Sequence, residues 1–172
     1  MAAEQESLPR AARRVAQVLA SRGHTAEIRI LSDSARSAAE AASALGVAQA
    51  QIVKSMVFHG RSSDTPVLAL VGGTSRVDPD LLAACVGEPV GRADADWVRE
   101  RTGFAIGGVP PLGHSEPLRT VADRSLVALA LLWAAAGTPH AVFPMRGDEL
   151  VALTGAELAD IATAEGAAGS DS

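Results

Sequence analysis

Apolar and polar positions change their period several times along this chain. In SLPRAARRVAQVLASR (7–22), Leu8, Ala12, Val15 and Leu19 recur at helical spacing and Gly23 offers a stop, which predicts a helix. AEIRIL (26–31) alternates as a strand does. Ser37 and Glu40 stand at capping-box spacing before a short amphipathic helix that runs to Gly46. In QIVKSMVFHG (51–60), Ile52, Lys54, Met56 and Phe58 share one strand face, and Val53, Ser55 and Val57 the other. RSSDTP (61–66) has turn chemistry, so 52–59 and 66–71 are expected to pair as a hairpin.

Asp78-Pro79 opens a further helix that ends at Gly87, and DADWVRERTG (94–103) reads as another. The segment 107–113 is expected directly after a strand. LLWAAAG-TP-HAVFPM suggests a strand pair about Gly137–Pro139, and DELVALTGAELADIA closes with one or two helical turns. Strands and helices interleave irregularly, without an internal repeat or a linker. The reading is a single mixed α/β (α+β) domain over 7–163, a mixed sheet flanked by short helices. Residues 1–6 are expected to be flexible and 164–172 a disordered tail.

Composition narrows the function. Three Phe, two Trp and no Tyr leave few stacking platforms for single-stranded nucleic acid. A net charge of −5 is not that of a protein that coats phosphate backbones, although it leaves room for local contact with one end of a nucleic acid. The lone Cys85 cannot form an internal disulfide and fits a reducing compartment. MAAEQESLPR lacks the pattern of a signal peptide, and the longest apolar run, 126–137, is too short to span a bilayer. A cytoplasmic protein without a membrane partner is expected.

Two stretches carry candidate chemistry. Lys54 is the only lysine beside 14 arginines, and it stands on an apolar strand face where an ammonium is costly unless paired. Chance survival in a compositionally biased chain accounts for it as readily as function does. GGVPPLG (107–113) packs three glycines and two prolines into seven residues, the makings of a rigid loop whose backbone N–H groups can hold a carbonyl or oxyanion. Most such runs are ordinary turns. No phosphate-loop or nucleophile-elbow motif is present, and the four scattered histidines form no zinc pattern. Cys85 reads as a core residue, and His114 as a solvated residue on the rim. Asp123 either caps the next turn or holds a ligand amine. Arg10, Arg13, Arg14 and Arg22 form either a solvated helix face or a phosphate contact.

The ordered set K…TGF-x-x-GG-x-x-PLG…D, from QIVKSMVF through RTGFAIGGVPPLGH to LRTVAD, resembles the prolyl-tRNA editing-domain family of YbaK/EbsC type over roughly 25–160. The resemblance implies a curved, partly barrel-like sheet. It also implies a hydrolase, without metal or cofactor, that cleaves the ester joining a small wrong amino acid (alanine, serine/threonine or cysteine) to tRNA(Pro). The partners implied are the mischarged acceptor end and prolyl-tRNA synthetase, with no DNA. Lys54 would place the terminal adenosine and its phosphate, its stem packed and its head at the pocket mouth. Gly107, Gly108, Val109, Pro110 and Pro111 would position the scissile carbonyl, with Gly113 completing the run. Thr102, Phe104 and Asp123 match pocket-lining positions, and Phe104 lacks the hydroxyl of the tyrosine many members have. An aminoacyl ester is already activated, so no covalent nucleophile is required. The competing readings are an inactive tRNA-end or amino-acid binding module and a hydrolase of another small aminoacyl ester.

Overall fold

The computed structural model describes residues 7–25 and 27–164, so the expectations for 1–6 and 165–172 lie outside the described residues. Five α-helices and ten strands interleave among the described residues. The helices are α1 (Arg10–Ser21), α2 (Ala38–Leu45), α3 (Pro79–Val86), α4 (Ala95–Thr102) and α5 (Leu150–Thr154). The strands are β1 (Arg29–Ile30), β2 (Ile52–Gly60), β3 (Thr65–Gly72), β4 (Ser75–Val77), β5 (Val90–Arg92), β6 (Arg119–Asp123), β7 (Leu132–Ala135), β8 (Ala141–Met145), β9 (Glu157–Ala159) and β10 (Ala162–Ala164).

Local chemistry sets the helix boundaries. Ser37 Oγ accepts the Glu40 N–H at 3.1 Å, and the chain leaves α2 through Gly46 at φ +70°. The Asp78 carboxylate accepts the N–H groups of Asp80 and Leu81 ahead of α3, with Pro79 in the first turn. Asp94 does the same for Trp97 ahead of α4. α1 turns Ala12, Val15 and Leu19 inward and leaves Arg10, Arg13 and Arg14 exposed.

The main sheet is mixed and open, in the order β1-β8-β7-β2-β3-β6-β9, with β5 also paired to β2; β4 and β10 form a separate two-stranded sheet. Among the described residues β1 and β9 end this order, so the sheet is mostly open. The hairpin expected from 52–59 and 66–71 is β2 against β3, antiparallel, with Lys54 opposite Val71. The expected pair about Gly137–Pro139 is β7 against β8, also antiparallel.

Three expectations change. Residues 103–118 form no regular strand, so the Gly/Pro run follows helix α4 rather than a strand. The last segment makes strands β9 and β10 beyond α5, and Ala164 belongs to β10 rather than to a tail. Only Arg29–Ile30 of the strand predicted at 26–31 is a strand.

β3 is buried on both faces from Pro66 to Gly72, which makes it the spine of the domain. Leu68 and Leu70 pack with α1, Ala122, Phe143, Phe104 and Val109 on one side. Val67, Ala69 and Val71 pack with Leu82, Val86 and Ile161 on the other. A third cluster seats α2 over Ile52, Trp133 and Val142.

Candidate active site

β2 has two different neighbours along one edge. Ile52 and Val53 pair with β7 in parallel, whereas Phe58, His59 and Gly60 pair with β5 in the antiparallel sense. Lys54–Val57 falls between these two ladders. The sheet therefore parts beside the middle of β2, and a cavity of about 720 Å³ occupies the opening. Its outer side runs between α2 and the start of α3, past Ala38, Ala41, Lys54, Met56 and Pro79. Its inner side is lined by Val53, Ser55, Val57, Val98, Ile106, Gly107 and Val109. Volumes of this order accommodate a small-molecule-sized group.

The alternation of β2 explains why one strand serves both sides. Ile52 packs under α2 and Phe58 against the α3 cluster, so Lys54 and Met56 stand between those two anchors. Lys54 is half-buried there, and Met56 is 45% exposed. Ser55 projects from the opposite face, in line with the core residues Val53 and Val57. Its Oγ is buried with no hydrogen-bond partner among the described residues, and the same is true of Nε1 of Trp133, another lining residue. A buried polar group without a partner is costly, and a ligand that supplies one recovers that cost.

The charge of the cavity is one-sided. Arg36, Lys54 and Arg92 line it, and no Asp or Glu does among the described residues. In a chain of net charge −5 this is a local concentration of cations suited to an anionic group.

The Gly/Pro run contributes to the inner wall. Gly107, at φ +91°, and Val109 line the cavity, while Gly108 sits behind them against Thr138. The Gly108 N–H donates to the Ala105 carbonyl at 3.0 Å, closing a turn. Pro110 and Pro111 have no N–H to offer. The amides of the bend that can face a ligand are therefore those of Gly107 and Val109.

The other residues singled out in the sequence do not line this cavity. Thr102 Oγ1 donates to the Val98 carbonyl at 2.8 Å and accepts the Phe104 N–H at 3.1 Å, which fixes the exit from α4. Phe104 is buried, edge-on to His114 and beneath the Arg14 guanidinium. Pro110 and Pro111 are buried, and Gly113 lies against Val18 of α1. Asp123 ends β6 with its carboxylate committed to the N–H groups of Ile161 (3.0 Å), Ala162 and Ser125 and to the Ser125 hydroxyl. It is a cap, which was one of its two sequence readings.

His114 is more enclosed than a solvated rim residue. Burial lowers its pKa below the ordinary imidazole value, and the charges of Arg14 and Arg22 act in the same direction. Its Nε2–H donates to the Pro110 carbonyl at 2.7 Å, so the neutral ring braces the back of the bend. Among the described residues no His/Cys/Asp/Glu group could hold a metal ion.

Sequence reasoning missed Arg92, Arg36, Trp133 and Pro139 as lining residues. Arg92 belongs to a three-residue strand with no alternation long enough to detect, and the others reach the site only through tertiary packing.

A family model described as the aminoacyl-tRNA editing domain matches residues 32–153. The chain belongs to the aminoacyl-tRNA editing domain family. Editing of this kind removes an amino acid from a wrongly charged tRNA, so the chain is an aminoacyl-tRNA deacylase, a carboxylic ester hydrolase. A crystal structure described as a trans-editing enzyme for prolyl-tRNA synthetase is 46% identical, with a TM-score of 0.86, covering 91% of this chain and 99% of its own. YwhH of Bacillus subtilis (strain 168) is 28% identical over 111 residues, 64% of this chain and 70% of the relative. EbsC of Enterococcus faecalis (strain ATCC 700802 / V583), which bears the name of a Cys-tRNA(Pro)/Cys-tRNA(Cys) deacylase, is 25% identical over 130 residues, 75% of this chain and 79% of the relative. Editing-domain neighbours thus share the mixed α/β fold described above. No helix among the described residues is long and apolar enough to cross a membrane.

Proposed function

We propose that this deacylase acts in trans on tRNA(Pro) charged with a small non-cognate amino acid, drawn from alanine, serine/threonine and cysteine. The observation that carries the reading is a single cavity that unites a cationic mouth (Arg36, Lys54, Arg92) with a compact inner wall (Ser55, Val57, Gly107, Val109). An aminoacylated 3′ end has the matching parts, a phosphate-bearing nucleotide and a small acyl group joined by an ester.

In this reading Lys54 holds the terminal nucleotide through its phosphate, in a charge-assisted contact worth about 1.5–3 kcal/mol. The Gly107 and Val109 amides face the ester carbonyl and stabilise the negative charge that develops there during attack. Gly108 supports them from behind through its turn to Ala105. The Ser55 hydroxyl and the Trp133 indole N–H offer hydrogen bonds to the polar atoms of the aminoacyl group. A water or a group of the substrate attacks the carbonyl, the ester C–O bond breaks, and the ribose hydroxyl leaves with a proton. No side chain of the protein becomes acylated. Prolyl-tRNA synthetase is the partner that would supply the mischarged substrate.

The proposed preference for small side chains draws support from the apolar lining residues Val57, Ile106 and Val109. A methylene in such a pocket changes binding by only about 1–3 kcal/mol, which is why a synthetase benefits from a second, separate sieve. The deciding experiment is a deacylation panel across alanyl-, cysteinyl-, seryl- and threonyl-tRNA(Pro), with prolyl-tRNA(Pro) as the cognate control. Hydrolysis of one or more small-residue esters with the prolyl ester spared is expected. Binding without turnover of any member would return the reading to a binding module.

A further inference from the structure

We infer that the exposed arginine face of α1 is a docking surface for the RNA phosphate backbone, taking the strand that leads into the cavity. The inference rests on the tRNA reading above but concerns a surface outside the cavity.

Arg10, Arg13 and Arg14 rise side by side over a hollow floored by Gly103 and Phe104. Among the described residues none of the three has a carboxylate partner. Arg119, Arg124 and Arg146, by contrast, are exposed arginines that do pair with carboxylates, those of Glu157, Asp160 and Asp148. In a chain with more acidic than basic residues, three adjacent guanidiniums with no carboxylate partner among the described residues are a local concentration of positive charge. One of them is also held in place, because the Arg14 guanidinium lies 5.4 Å from the centroid of the buried Phe104 ring.

The hollow is tied to the cavity twice. Its floor residue Phe104 is separated by Ala105 alone from Ile106 and Gly107, which line the cavity wall. The second tie is α1 itself, where a Cβ on Gly137 would stand 2.7 Å from the Ala11 carbonyl oxygen. Pro139, two residues beyond Gly137, lines the cavity. Three residues of chain span at most about 10 Å. At about 3.4 Å of rise per nucleotide along one strand, that separation is some three nucleotides. A strand whose terminal ester occupies the cavity therefore brings its next few phosphates within reach of α1. Arginine suits this role, since its planar fork pairs with phosphate oxygens.

The test is a titration of uncharged tRNA against the full-length protein and its Arg10→Glu/Arg13→Glu variant, which leaves the Arg14–Phe104 contact intact. Each phosphate contact contributes about 0.7–0.9 to the slope of log affinity against log salt. The variant is expected to bind about tenfold more weakly with a slope shallower by about 2. Hydrolysis of an aminoacyl-adenosine ester, which has no phosphates, is expected to stay at the wild-type rate and so reports that the variant is folded. An unchanged affinity and slope would overturn the inference, as would a wild-type protein that binds no tRNA. If the variant loses tRNA affinity while the wild type cleaves no mischarged tRNA, the docking surface stands and the editing reading falls.

Discussion

Gly108 packs so closely on Thr138 that a Cβ at position 108 would stand 2.7 Å from the Thr138 Cα. The contact joins the Gly/Pro bend to the β7–β8 connection, and through Gly137 that connection is wedged against Ala11 of α1. Three segments far apart in the chain thus hold the inner wall of the cavity in one position. Gly108→Ala must push the bend away from Thr138, because the atoms the new Cβ would meet belong to backbone. We expect a loss of about 1–3 kcal/mol in stability, of the size seen for overpacking. Thermal unfolding measures it, and a parallel fall in ester hydrolysis shows that the wall has moved. An unaltered melting temperature would mean that the bend has more room than this contact allows.

Lys54→Ala removes the cation at the centre of the cavity mouth. With a charge-assisted contact worth about 1.5–3 kcal/mol, kcat/KM on mischarged tRNA should fall about ten- to a hundredfold. Lys54→Arg should recover part of this, since charge is kept and geometry changed. Deacylation by Lys54→Ala at the wild-type rate would remove Lys54 from the site.

Ser55→Ala deletes the buried hydroxyl that lacks a partner within the described protein. A neutral hydrogen bond contributes about 1 kcal/mol, so kcat/KM should fall about fivefold on at least one of the small aminoacyl esters. Stability should hold or rise, because a desolvated hydroxyl with no acceptor is lost. Equal activity across the whole panel would show that the hydroxyl meets no substrate atom.

Asp123→Ala should act on stability instead. The carboxylate gathers N–H groups of Ile161 and Ala162, 38 and 39 residues along the chain, and so fastens β10 to the end of β6. Leaving these donors unpaired costs about 1–3 kcal/mol each where they are buried, and chemical denaturation should report a loss of at least that size. The KM of the protein that remains folded should stay at the wild-type value. A selective rise in KM with stability intact would restore a ligand-binding role for Asp123.

His114 gives stability a pH dependence with a definite sign. Its folded pKa lies below the ordinary 6.5, so between those two values the unfolded chain binds more protons than the folded one. Stability contributed by the neutral ring is present above pH 6.5 and is lost as the pH falls towards the folded pKa. His114→Gln, which keeps a donor for the Pro110 carbonyl, should flatten this part of the curve. The same slope in both proteins would assign it to other groups.

Much of this fold is legible locally. Ser37, Asp78 and Asp94 are side-chain caps within three residues of the N–H groups they serve, and Gly46, Gly87 and Gly103 close the same helices in left-handed conformations. Lys54 drew notice because it breaks an apolar strand face, and Gly107 because its neighbours are glycine and proline. β5, β9 and β10 escaped notice because three residues carry no measurable period. The two readings of Asp123 are indistinguishable in sequence, because beside Ser125 its partners Ile161 and Ala162 lie some forty residues away.

The order of side chains along β2 determined that a cation and a small hydroxyl would emerge from opposite faces of one strand, since neighbours on a regular pleated strand alternate. Tertiary structure decided that both would open into the same space. That required the edge of β2 to be shared between β7 and β5 with neither covering Lys54–Val57, a result of long-range pairing energies that no local run of residues encodes. It also decided that the Gly108 N–H is spent on the turn to Ala105.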